Sequence, residues 1–136
     1  MLEATLKKIY EQLGTSLRWG WDERFKTALM VLQGEAAEEL SLRVTDEFDQ
    51  VWSEESISGA SSDIQHLVTY LSGLRDAQRL HTMILDDSVI LFAALWSWAG
   101  NSHVSYRVGI FRAYVTPDLS EQAQQVVREI FTSPDA

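Results

Sequence analysis

SVILFAALWSWAG, residues 88–100, constrains this chain more than any other stretch. Between Val89 and Ala99 only Ser97 is polar. A strand with one wet face would alternate apolar and polar residues, and this one does not. The run falls well short of the roughly 20 apolar residues that a membrane-spanning helix needs. Asp86-Asp87 before it and Gly100-Asn101-Ser102-His103 after it read as turns. The expectation is a central strand, Val89–Trp98, covered on both faces.

Arg79–Leu85 and Val104–Val115 share its period of two, so the three strands should form an antiparallel meander. With Asn101-Ser102 at the second hairpin tip, Leu95 faces Val108, Ala93 faces Ile110 and Val89 faces Tyr114 on one side. On the other, Trp96 faces Arg107, Phe92 faces Phe111, Ala94 faces Gly109 and Ile90 faces Ala113. Arg107 then lies over the Trp96 ring as a cation–π pair. Helices should cover one face of the meander. The other needs the remaining helices or a second subunit, which makes a homodimer an expectation to be tested by sedimentation.

The rest of the chain reads mostly as helix. Leu2, Leu6, Ile9 and Leu13 recur at steps of three and four ahead of Gly14, predicting a helix over 2–13. Over 22–33, Asp22 as a cap and the stripe Phe25, Ala28, Leu29 and Leu32 favour a helix ended by Gly34. A strand through Lys26–Gln33 is the competing reading, because Met30-Val31-Leu32 is continuously apolar. Over 36–52, Leu40, Val44, Phe48, Val51 and Trp52 fit a helix face, and the helix reading is favoured because that pattern extends over more residues than the strand-like alternation of Leu40, Leu42 and Val44. SEESISGASS, residues 53–62, reads as a flexible loop within one domain spanning 1–136. Ser62 and Gln65 form a capping-box pattern that opens a helix over 62–75. Asp118 and Glu121 repeat it after Pro117, and Ala123, Val126, Val127, Ile130 and Phe131 give a helix over 119–131. The fold class is α+β: N-terminal helices, an antiparallel meander of three or more strands, and a C-terminal helix packed on the sheet.

Charge narrows the function classes. Eleven Lys and Arg stand against 20 Asp and Glu, a net charge of −9. Nucleic acid and anionic membranes draw on basic residues, so neither is expected as a partner. Cysteine is absent, which excludes disulfides, thiol catalysis and cysteine zinc sites. The N-terminus lacks a basic segment followed by an apolar one, so no signal peptide is read and a cytoplasmic location is expected. Between Glu35 and Glu55 lie eight acids, with Arg43 the only base.

No stretch carries a catalytic signature. There is no GxGxxG, P-loop, GxSxG or HExxH. Asp63 and His66 have a metal-compatible spacing without the further ligands a site needs, and Asp46, Glu47 and Asp49 do not match the EF-hand pattern. No cofactor, no metal and no enzymatic activity are expected. The leading reading is a protein-interaction module of adaptor, assembly-factor or chaperone-like type. Glu38, Glu39, Asp46, Glu47 and Asp49 would meet a basic or amphipathic polypeptide, with Phe48 and Trp52 as anchors. The alternative is a small-molecule-sensing regulatory domain whose pocket draws on Trp21, Trp96, Trp98 and Arg107.

Overall fold

A computed structural model describes residues 2–13, 19–71, 73, 78–85, 89–97, 103–111 and 117–132. In chain order the elements are α1 (Leu2–Leu13), β1 (Gly20–Asp22), β2 (Thr27–Gln33), α2 (Gly34–Val44), β3 (Gln50–Trp52), α3 (Ser62–Tyr70), β4 (Arg79–Ile84), β5 (Ile90–Ser97), β6 (His103–Phe111) and α4 (Pro117–Thr132). Short 3-10 turns at Thr45–Glu47 and Ile57–Gly59 join α2 to β3 and β3 to α3. The six strands form one antiparallel sheet in the order β1-β2-β6-β5-β4-β3. The architecture is α+β, with the expected meander β4-β5-β6 at its centre. Among the described residues, no helix is long and apolar enough to cross a membrane.

The apolar strand β5 is buried on both faces, and the two faces belong to different cores. Leu91, Ala93 and Leu95 join Tyr106, Val108 and Ile110 of β6 beneath Leu6, Ile9 and Leu13 of α1, Val44 of α2, and Val127 and Phe131 of α4. Ile90, Phe92 and Ala94 join Leu80 of β4 and Trp52 of β3 beneath Ile64, Leu67 and Val68 of α3, with Leu71 just beyond it. Each fully buried aliphatic or aromatic side chain contributes about 1.5–3 kcal/mol. The second face is thus covered by this chain's own α3, so β5 creates no demand for a second subunit.

Three expectations change. Residues 22–33 form a hairpin, not a helix. Asp22 Oδ1 accepts from the Arg24 amide at 2.8 Å, as a helix cap would, but the turn continues through Lys26 at φ +55°, a left-handed conformation incompatible with a helix. β2 then pairs with β6 from Ala28↔Val108 to Gln33↔His103 and points Ala28, Met30 and Leu32 into the first core. The strand reading of the apolar run prevails because β6 offers that run a complete backbone ladder. The predicted helix over 36–52 stops at Val44. Phe48 belongs to the first core and Trp52 to the second. A continuous helix would place residues four apart on one side; here the chain breaks between them, with Phe48 directly after the 3-10 turn and Trp52 in β3, so the two enter different cores. Trp52 is held there by its indole N–H donating to Thr82 Oγ1 at 2.9 Å.

The third change is the β5–β6 register, displaced by two residues. Leu95 pairs with Tyr106, Ala93 with Val108, Ala94 with Arg107, Trp96 with Ser105, Ile90 with Phe111, and Phe92 with Gly109. A shift of two keeps every side chain on its expected face. Its physical basis is shape: the Phe92 ring occupies the space a side chain at Gly109 would need. Smaller adjustments follow at α3. Ser61, not Ser62, is the cap, its Oγ accepting from the Ile64 amide, and Gln65 donates to the Ile57 carbonyl at 2.6 Å. The helix ends at Tyr70, earlier than expected, and Gly73 at φ +97° donates to the Val68 carbonyl at 2.8 Å, a helix-closing turn that favours glycine. The serine-rich segment holds its own hydrogen-bonded turns, with the Ser53 amide donating to Ser56 Oγ at 2.9 Å.

Thr27 lies fully buried beside Gly109, and among the described residues its hydroxyl has no hydrogen-bond partner. An unsatisfied buried hydroxyl costs stability that an apolar group of the same shape does not. Thr27→Val is therefore expected to raise stability by about 1 kcal/mol, read as a higher urea midpoint at unchanged m-value. A lower midpoint would show that the hydroxyl is satisfied.

Candidate functional site

The second core does not fill the whole of its face. Between the C-terminal end of α3 and the β1–β2 loop lies a half-open cleft of about 260 Å³. Its floor is the sheet, supplied by Ala94 and Trp96 of β5 and Arg107 of β6; Leu71, Gln78 and the loop residues Arg24 and Phe25 form its walls. Strand alternation brings the floor together, since Ala94, Trp96 and Arg107 share one face of the sheet. The hairpin turn does the rest by folding Phe25 back against α3, where its ring meets Tyr70 edge-on at 5.8 Å. Tyr70 in turn packs on Phe111 of β6 at 5.4 Å. Aromatic pairs of this kind hold a loop with about 0.5–1.5 kcal/mol each.

Arg107 is the electrostatic centre of the cleft. Its Nη1 donates to Asp22 Oδ2 at 2.9 Å, and both side chains are largely buried. Its guanidinium also sits over the Phe25 ring, 5.1 Å from the centroid. Burial holds its pKa below the ordinary arginine range; Asp22 opposes that shift and the nearby Arg24 adds to it by repulsion. The guanidinium stays charged regardless, because arginine titrates far above neutral pH. Arg24 is exposed, and its guanidinium also lies over the Phe25 ring, 4.8 Å from the centroid.

Other residues singled out from the sequence are dispersed. Glu39 pairs with Arg43 at 2.8 Å on α2, and Glu47 pairs with Lys8 of α1 at 3.3 Å. Asp46 and Asp49 are exposed, and Glu38 lies on α2. Phe48 and Trp52 are buried, the former against His81 with ring centroids 5.6 Å apart. Trp21 is half-buried, packs on the first core and carries the Arg128 guanidinium 5.6 Å above its ring, away from the cleft. Trp98 lies outside the described residues. Of the four pocket residues expected, Trp96 and Arg107 meet in the cleft. Their register partners differ, and the cation that was expected over Trp96 sits over Phe25 instead. Arg24, Phe25 and the partner role of Asp22 were missed. Reading Lys26–Gln33 as a strand would have exposed them, since Asp22-Glu23-Arg24-Phe25 then becomes a hairpin loop. Among the described residues, no cluster of three or more His, Asp or Glu is placed to hold a metal.

The chain matches no protein-family model, no curated protein and no solved structure at a significant level.

Proposed function

We propose that this chain is a small-molecule-binding domain whose site is the cleft between α3 and the β1–β2 loop. The supporting observation is the convergence of two guanidiniums and two aromatic rings, from three separate segments, on one concavity. Ligand sites combine apolar walls with a few placed polar groups in this way, and the volume suits a small metabolite or fragment. The polar groups of the described lining are the two guanidiniums and Gln78, a set suited to holding an occupant. A sensing role follows from the two kinds of wall. Trp96 and Arg107 stand on the sheet, while Arg24 and Phe25 stand on a hairpin loop that an occupant would hold in place. Docking of a polypeptide on the acidic segment has less support. Its intended anchors, Phe48 and Trp52, are packed inside the fold, and exposed charge alone steers encounters more than it retains a partner.

Screening metabolites by thermal unfolding and tryptophan fluorescence tests the reading. A true ligand at about 100 times its Kd should stabilise the fold by about 2.7 kcal/mol. The gain should vanish in Trp96→Ala while that variant still unfolds cooperatively. A broad panel giving no saturable, Trp96-dependent response rejects the proposal.

A further inference from the structure

The geometry points to a small anion with a flat apolar body, a carboxylate or phosphate on an aromatic or heteroaromatic ring, as the occupant of this cleft. The inference rests on the cleft being a ligand site and concerns what class of ligand it takes.

Charge distribution is the first argument. The chain as a whole is strongly acidic, with 20 carboxylates against 11 basic side chains. Yet the described lining of the cleft gathers two guanidiniums and no carboxylate; the nearby Asp22 is engaged by Arg107. Among the described residues, no carboxylate pairs with the Arg24 side chain. Its neighbour Glu23 is turned instead to Lys26 and, at 3.7 Å, to Arg128. Arg24 and Arg107 are close enough to repel each other, and that repulsion depresses the affinity of Arg107 for its proton. An anion in the cleft relieves the repulsion and gains charge-assisted hydrogen bonds from the Arg24 fork. A cation would add to it. A neutral molecule would gain neither effect.

Shape is the second argument. The remaining lining is flat or apolar: the Trp96 and Phe25 rings, Leu71 and Ala94. Aromatic side chains favour offset or edge contacts with another ring. About 260 Å³ accommodates one ring system with a single anionic head group, not an extended chain. Arg24 is the adjustable element. It lies on the loop and is exposed, so it can turn its fork to the head group while Arg107, fixed by Asp22, sets the position of the ring.

The test uses four probes with one ring and different heads: benzoate, phenyl phosphate, the neutral benzamide and the cationic benzylamine. Binding is read from the indole N–H signals of the 15N-labelled protein, with the Trp96 signal assigned by Trp96→Phe. At least one anion should shift that signal saturably at millimolar concentration, about tenfold more tightly than benzamide, with benzylamine weaker still. The tighter anion distinguishes carboxylate from phosphate. Added salt should weaken the anion only. Arg24→Gln, an exposed change that leaves the Asp22–Arg107 pair in place, should weaken the anion about fivefold and leave benzamide unaltered. If benzamide binds as tightly as both anions, or Arg24→Gln changes nothing, the ligand class is wrong while the cleft survives as a site. If no probe moves the Trp96 signal, both the ligand class and the cleft as a site are overturned.

Discussion

Gly109→Ala should lower stability by about 2–3 kcal/mol, the upper part of the range for overpacking a filled core. For a chain of this size that is roughly a 10 °C fall in Tm. Gly109 lies in β6 between Phe92 of β5 and Thr27 of β2. A Cβ there would stand 2.7 Å from Thr27 Cγ2 and 3.0 Å from Phe92 Cζ. Neither neighbour has room to retreat, since both are fully buried. Thr27 is β-branched and restricted at χ1 as well. The backbone at Gly109 is ordinary for a strand, so the effect isolates side-chain space and not glycine's conformational freedom. Two comparisons separate this cause from a general intolerance of substitution. Gly59→Ala, where an added Cβ meets nothing within 4 Å, should be close to neutral. Thr27→Ser removes the nearest methyl and should recover part of the loss in the double variant, whereas Thr27→Val retains that methyl and should not. Denaturant unfolding of Gly109→Ala, the two Thr27 variants and their doubles with Gly109→Ala gives the coupling energy directly. A Gly109→Ala protein as stable as wild type would refute the packing shown at the sheet centre.

Acidification should destabilise the fold through His81 by up to about 3 kcal/mol across its titration window. His81 is 1% exposed on β4, with Nε2 at 3.4 Å from Thr45 Oγ1 and the Phe48 ring beside it. Burial, aided by repulsion from Arg79, pushes its pKa from 6.5 to about 4. Between those values the unfolded chain binds a proton that the native chain refuses. Stability is therefore complete above pH 6.5, falls as the pH drops, and levels off below about 4. The practical range stops short of the isoelectric point near 4.6, where the net charge vanishes and association sets in. From neutrality to just above pH 5, wild type should lose about 1.5–2 kcal/mol more than His81→Leu, which cannot titrate. Equal pH dependence in the two proteins would show that His81 is protonated or solvated in the native state.

Both residues show why parts of the fold were legible in the sequence and others were not. The helices at 2–13 and 119–131 and the meander follow from local periodicity, because one side of each element must meet a core. Two-sided burial of Ile90–Leu95 follows from the composition of that stretch in the same way. Lys26–Gln33 could not be decided locally, since a short apolar run fits either a helix or a buried strand; the open ladder of β6 decided it. The register of β5 on β6 was misplaced because like-with-like pairing is only one way to fill space. Phe92 against Gly109 fills it better, and that is visible only when Thr27 is present on the third strand. The cleft was half legible: Trp96 and Arg107 stood out as an aromatic and a base within apolar strands, while Arg24 and Phe25 lay in a segment read as helix.

By itself, then, the sequence determined the α+β class, the central apolar strand and the absence of cysteine chemistry, all properties of composition and of periods of two and 3.6. Only the tertiary structure decided which core Phe48 and Trp52 enter, what covers the second face of β5, and that Arg24 and Arg107 share a cleft. Those outcomes depend on contacts between residues as far apart as Asp22 and Arg107, and such contacts are selected by complementary shape and charge in three dimensions, which no local pattern encodes.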